Sequence, residues 1–387
     1  MIQTFIIYAI LIGIMIFFSI PLYSDKRINI YSNKKEVSLL HFSNKITSFI
    51  IPIILLSLIC GFRYGIGEDY FSYEILYNNL DINDIQKTLR TSREEPLFTI
   101  LMFYLKKFNL PYSALLFCCS FISYFFLYKS LNNHSKEIRP IASLFFFITG
   151  TFFIYMSFIR QMIAFFIFLY AIKFIINKNI IKYILAITIC VLFHKSSILL
   201  YPCYFIGYLS EEFIKKTYII QIVISLLTIL KGEVITNFII SSALNVISNS
   251  IYGGYSNKIA SWTIDVGSGK AAMLIMIINL LIITISPKLI SAYSKVNFKT
   301  YYTLFFIGSC LDNLFYNNVL LSRIPVFWIH LKFLIIAYAF HHLIVNWKIC
   351  SLYYKSVCLF ILLFFIAYFY SMIYNGAMNS SPFILKI

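Results

Sequence analysis

Leu359-Phe360-Ile361-Leu362-Leu363-Phe364-Phe365-Ile366-Ala367-Tyr368-Phe369-Tyr370 is a run of apolar and aromatic residues without a single charge. Phe121–Leu127 reads the same way, and such runs recur from end to end with short polar breaks between them. A helix crossing a bilayer satisfies its own backbone hydrogen bonds, so repeated runs of this kind mean transmembrane helices. A membrane β-barrel would show segments of about ten residues with alternating polarity instead. Composition agrees. Hydrophobic residues make up 60% of the 387 positions and charged residues only 12%, about half the usual soluble share. No polar stretch is long enough to bury a core of its own. The expected fold is therefore all-α: one polytopic helix bundle over residues 1–387.

Apolar segments at 2–22, 44–60, 111–128, 141–157, 160–176, 180–194, 197–209, 217–230, 271–286, 300–317, 325–345 and 355–374 predict about twelve spans. The first has no basic stretch before it and no small-residue cleavage site at Tyr23-Ser24, so it reads as a retained span and not a signal peptide. Segment 96–108 is apolar but short and carries Lys106 and Lys107, which fits a re-entrant or interfacial helix. With the amino terminus outside, the inward loops are 23–43, 129–140, 173–182, 211–216, 287–299 and 346–356. They hold more than half of the basic residues and only five of the 15 carboxylates, as the positive-inside rule requires. The two longer outward segments are 61–110 and 231–270, the second with Gly253-Gly254, Tyr255 and Trp262.

The net charge of +17 is spread over short loops, which argues against a nucleic-acid partner. The eight cysteines lie in or beside apolar segments without metal-ligand spacing and read as packing residues. No Walker motif, Asp-x-Asp pair, Gly-x-Ser-x-Gly or His-Glu-x-x-His occurs. The expectation is no cofactor and no metal.

Segment 61–95 departs from the rest, with seven of the 15 carboxylates. Its start, Gly61-Phe62-Arg63-Tyr64-Gly65-Ile66-Gly67-Glu68-Asp69-Tyr70, packs three glycines, an arginine and two acids into the mouth of a span. Glycines allow tight turns and close backbone approach. Arginine grips phosphate through forked hydrogen bonds, and aromatic rings stack on sugars. Asp81, Asp84, Lys87 and Arg90 read as an ordinary charged loop. Arg160-Gln161 interrupts the apolar stretch Phe145–Ile176, where an arginine needs a partner, a cavity or an interface to snorkel into. His194-Lys195-Ser196-Ser197 breaks two apolar runs. It is either a plain polar loop or a site with a histidine suited to proton transfer. Ser309, Asp312, Asn313, Tyr316 and Asn317 share an arc of about 140° on one helix, with Arg323 beyond it and His330 and Lys332 further on. A buried acid there is a functional candidate, while the asparagines also suit helix packing. Together these residues suit an anionic substrate presented from the membrane.

Four motifs then stand in order: Gly61-Phe62-Arg63-Tyr64-Gly65-Ile66-Gly67-x-Asp69-Tyr70-x-x-Tyr73, Glu95-Pro96-Leu97-Phe98, Arg160-Gln161-x-x-Ala164 and Phe193-His194-Lys195-Ser196-Ser197. In this order, and over residues 1–200, the chain resembles the EpsG-like branch of the Wzy-type polysaccharide polymerases. The resemblance is looser at Arg323 and Ser381-Pro382-Phe383. It implies a multi-pass enzyme of the bacterial inner membrane, with its site facing the exterior. Such an enzyme joins repeat units of O-antigen, capsule or exopolysaccharide carried on undecaprenyl diphosphate. It also implies a partner protein that regulates chain length. Chemistry of this class needs cations against the leaving diphosphate and a base for the acceptor hydroxyl. Arg63, Arg160 and Arg323, with Lys195, are the expected diphosphate ligands, and Tyr70, Gln161 and Asp312 further substrate contacts. Asp69 is the first choice of base, with Glu95 and His194 as alternatives. A flippase for the lipid-linked sugar is the competing reading and would need charge at the membrane midplane. An O-antigen ligase shares the donor and differs in acceptor.

Overall fold

The computed structural model describes residues 1–20, 49–248, 270–318 and 321–386, with side chains of 243–248 and 270 left aside. The expected inward loop 23–43 and the residues Gly253-Gly254, Tyr255 and Trp262 lie outside the described residues. The chain forms two compact units. The first is Met1–Tyr201 with Leu362–Ile387, and the second is Pro202–Ile361.

In the first unit the helices are α1 (Ile2–Ser19), α2 (Phe49–Gly61), α3 (Tyr70–Asn78), α4 (Ile85–Thr91), α5 (Pro96–Lys107), α6 (Tyr112–Leu131), α7 (Ile138–Ile148), α8 (Thr151–Ser157), α9 (Ile159–Ile176) and α10 (Ile180–Phe193). A 3-10 helix, Lys195–Tyr208, follows α10. α9 is the centre, packed against α6 and α10. Ile, Phe and Ala residues stand on all its faces, and nearly every one is buried, as a helix apolar all round demands. α1 behaves otherwise. Thr4, Tyr8, Leu11, Met15 and Ser19 form a buried stripe, while Ile6, Ile10 and Phe17 face outward. With these three apolar side chains facing outward, that helix suits a lipid surround.

The carboxyl-terminal segment closes back on this unit. Tyr8 Oη donates to the Ser380 carbonyl at 2.7 Å, and the Phe383 N–H donates to Thr4 Oγ1 at 3.0 Å. β2 (Ile384–Leu385) pairs antiparallel with β1 (Arg63–Tyr64), Arg63 opposite Leu385 and Tyr64 opposite Ile384. The strand thus braces the glycine-rich loop that follows α2.

The second unit contains α11 (Glu211–Lys216), α12 (Tyr218–Ser248), α13 (Lys270–Ala292), α14 (Phe298–Phe315), α15 (Val326–Ile329) and α16 (Lys332–Val345), then the first part of α17 (Leu352–Tyr374). α12 and α14 are joined by polar pairs inside the bundle. Tyr302 Oη donates to Gln221 Oε1 at 2.5 Å, and Asn313 Nδ2 donates to Thr228 Oγ1 at 3.0 Å. Such bonds tie helices together where no water competes.

Among the described residues seven helices are long and apolar enough to cross a membrane, or eight if the bent pair α7–α8 is one span. The chain is all-α and multi-pass, and the expected count of about twelve is not confirmed among the described residues. The expected span at α10 is a helix of 14 residues; at about 1.5 Å per residue it falls short of a ~30 Å hydrocarbon layer. Residues 44–48 of the expected span at α2 lie outside the described residues. Segment 197–209 is a 3-10 helix holding Pro202. α14 forms as expected, yet Thr300, Thr303, Ser309, Asp312 and Asn313 make it too polar to stand among the seven. Segment 96–108 becomes the twelve-residue helix α5, which buries only Phe98, Thr99, Met102 and Phe103.

Gly67 shows how tightly the loop is seated. Its φ is +97°, and an added Cβ would stand 2.2 Å from the Met156 carbonyl oxygen. We expect Gly67→Ala to cost about 2 kcal/mol or more, from backbone strain and overlap together. A lowered melting temperature in detergent, with no such drop for Gly13→Ala in open space, would check this.

Candidate functional site

The chain breaks between α8 and α9 at Phe158, whose φ of −97° and ψ of 60° are not helical. Arg160 therefore sits in the first turn of α9 and not in mid-span. A cation at a helix amino terminus opposes the partial positive charge there. It needs anions, and Glu94 and Glu95 supply them: both carboxylates reach Arg160 Nη1. Arg160 Nε also donates to Tyr73 Oη at 3.0 Å, and the guanidinium stands over the Tyr73 and Phe98 rings at 5.6 and 5.7 Å. The two rings meet edge-on at 5.4 Å. Charge, hydrogen bond and ring faces together fix one planar group.

Local sequence explains the carboxylates. Pro96 occupies the first turn of α5, where its missing N–H costs nothing. A residue before proline is held extended, and Glu95 has φ −69° and ψ 151°. Its side chain does not cap its own helix. It turns to a neighbour, where Oε1 accepts the Lys195 backbone N–H at 3.0 Å. That N–H opens the 3-10 helix, so it is one of the donors a helix start leaves without an internal partner. His194 Nδ1 stands 3.7 Å from the same oxygen. Glu95 thus links α5, α9 and the α10 end, and its side chain is only 6% exposed.

The glycine-rich loop docks beside this group. The Glu68 N–H donates to Ser157 Oγ at 3.2 Å. Asp69 precedes α3, half-buried, and its charge is felt at Tyr73, one turn on. Burial pushes the Tyr73 hydroxyl up to about 12 against the opposing pull of Arg160, so at neutral pH the phenol keeps its proton. Tyr70 is buried in an aromatic cluster with Tyr64, Phe71 and Tyr112. Its ring packs against protein. Burial, and then the charge of Glu74, raises its hydroxyl to about 12 as well.

Arg63 has a different setting from the one its motif leads one to expect. It is 2% exposed. Nη1 donates to the Cys60 carbonyl at 2.8 Å, Nε to the Ile66 carbonyl at 3.2 Å and Nη2 to the Met156 carbonyl at 3.4 Å. Cys60 and Met156 lie in the last turns of α2 and α8, where carbonyls lack helical partners and a cation is favoured. The guanidinium is a clip between two helix ends and the loop. Gln161 is buried at 2% exposure, and the Lys195 side chain is exposed.

The structure thus gathers Asp69, Tyr73, Glu94, Glu95, Phe98, Arg160 and His194. Glu94 was not singled out from the sequence, because it looked like one more charge in an acidic loop. The signal for it was adjacency: two acids directly before a proline at a helix start. Asp312 and Arg323 belong to the second unit. Asp312 lies on α14 and feels the charge of Lys332, which is 5% exposed near His330 at 7%. Arg323 is exposed at the end of a short 3-10 turn. Among the described residues no group of three or more His, Cys, Asp and Glu side chains is arranged to hold a metal ion.

If Arg63 is the clip, Arg63→Lys should lower stability, because one ammonium cannot reach three diverging carbonyls. Each charged hydrogen bond lost carries roughly 1.5–3 kcal/mol. The expected result is a lower melting temperature and little folded protein. A stable Arg63→Lys protein that had lost only its activity would instead put Arg63 on the substrate.

No curated protein and no solved structure matches the chain. Residues 46–384 match the EpsG family, a stretch that takes in the glycine-rich loop, both glutamates, Arg160 and His194, and the chain is therefore a member of the EpsG family.

Proposed function

We propose that this protein is a polysaccharide polymerase. It joins oligosaccharide repeat units carried on a polyprenyl diphosphate, at the outer face of the bacterial inner membrane. The observation that carries the reading is Arg160, a largely buried cation at the start of a membrane-length helix, paired with Glu94 and Glu95, with His194 beside Glu95 and the charge of Asp69 felt at Tyr73, the phenol that Arg160 engages. Membership of the EpsG family supports it.

In this reading the acceptor hydroxyl oxygen bonds to the anomeric carbon of the growing chain. The bond from that carbon to the diphosphate oxygen breaks, and the diphosphate leaves with its lipid. Arg160 stabilises the charge that develops on the leaving oxygens. Asp69 takes the hydroxyl proton. Glu95 is the less suited base, since Arg160 and the Lys195 N–H already engage its two oxygens; it positions Arg160 and His194. Undecaprenyl diphosphate is the proposed carrier, and a chain-length regulator the proposed protein partner. Substrate roles for Gln161, Lys195, Asp312 and Arg323 are part of the same proposal. The half-buried Asp312 and the buried Lys332 in the second unit favour one other reading, a transporter of the lipid-linked sugar, because charge inside a bundle marks translocation paths.

Deleting the gene in its host and sizing the surface polysaccharide on a gel tests the reading. We expect the ladder to collapse to single repeat units. Asp69→Asn and Arg160→Gln, expressed at normal levels, should not restore it, with polymer down at least about 100-fold for loss of a base or charge stabiliser. Repeat units trapped on the cytoplasmic side would establish the transporter. Normal lengths left on the lipid carrier would establish a ligase.

A further inference from the structure

Glu94 and Glu95 are neighbours that reach the same guanidinium nitrogen, but they are held unequally. Glu95 makes a hydrogen bond to Arg160, accepts the Lys195 N–H through its other oxygen, and faces His194. Pro96 fixes its backbone. Glu94 reaches Arg160 as an ion pair alone, and its Oε2, though buried, makes no hydrogen bond. Its backbone is tied by one N–H to Ser92 Oγ at 3.1 Å. Its side chain is 13% exposed against 6% for Glu95. One cation thus carries two carboxylates at equal reach, and only Glu95 has further partners to hold it there.

We propose that Glu94 stands in the place a substrate phosphate takes on Arg160, and that only a multiply charged anion such as a diphosphate displaces it. This rests on the reading of Arg160 as the anion-binding group. Glu95 stays in place during the exchange, because three groups from two other elements hold it. The exchange is electrostatically selective. The incoming anion replaces one carboxylate charge and must also tolerate the charge of Glu95 that remains. A diphosphate offers more charge and more oxygens for the guanidinium fork than a single phosphate does. Glu94 is then a specificity-determining residue. It keeps the site filled when no substrate is present and raises the threshold against lesser anions.

The test uses the purified full-length protein in detergent, with inorganic pyrophosphate and orthophosphate as probes in calorimetric titrations. We expect wild type to bind pyrophosphate and to bind orthophosphate far more weakly. Glu94→Gln should tighten both by about tenfold or more, a shift of about 1.4 kcal/mol, with the larger gain for orthophosphate, so that discrimination shrinks. Glu94→Asp, which keeps the charge on a shorter arm, should fall between. Adding Arg160→Gln to Glu94→Gln should abolish the gain. Equal binding by wild type and Glu94→Gln would overturn the inference and leave Arg160 as an anion site. Tighter binding that survives Arg160→Gln would overturn it as well, as a mere effect of net charge. No pyrophosphate binding by any of these proteins would overturn both the inference and the anion-site reading beneath it.

Discussion

The site depends on one constraint: a guanidinium placed in the first turn of a helix built to be buried. α9 is apolar on every face and packs at the centre of its unit. Arg160 cannot turn into that packing, and the helix amino terminus disfavours its charge. Glu94 and Glu95 answer the charge, Tyr73 accepts the Nε–H, and two rings stand against the guanidinium. The requirement for anions at this point draws in α3, α5 and the end of α10. In sequence the participants are spread over residues 73 to 195.

The loop after α2 is the second support. Arg63 satisfies carbonyls at the ends of α2 and α8, and Gly67 lets the backbone lie against Met156. β2 braces the same loop, and the Lys386 N–H donates to the Phe62 carbonyl at 2.8 Å. Met156 and Ser157 directly precede the break at Phe158. The loop therefore sets where α9 begins, and so where Arg160 stands. The two arginines have separate work: Arg63 holds backbone, and Arg160 holds charge.

Much of this was legible in the sequence. Continuous apolar runs gave membrane helices, because the bilayer leaves few other ways to satisfy a backbone. The motifs around Asp69, Glu95, Arg160 and His194 were visible as polar interruptions, and the structure brings those four into one neighbourhood. The number of spans was less legible. A short apolar run reads alike whether it becomes a 14-residue helix such as α10 or a 3-10 segment such as Lys195–Tyr208. The setting of Arg63 was hidden too, since carbonyl partners leave no mark on side-chain sequence. Glu94 was hidden among like charges, and only the fold shows that it reaches Arg160.

The proposed polymerase lengthens a sugar chain from lipid-linked repeat units. The purified protein in liposomes, given a synthetic polyprenyl-diphosphate-linked repeat unit alone, tests that claim most directly. Products of two or more repeat units are expected, with one free polyprenyl diphosphate released for each linkage made. Repeat units that cross the bilayer uncoupled and unchanged would contradict it and make the protein a transporter.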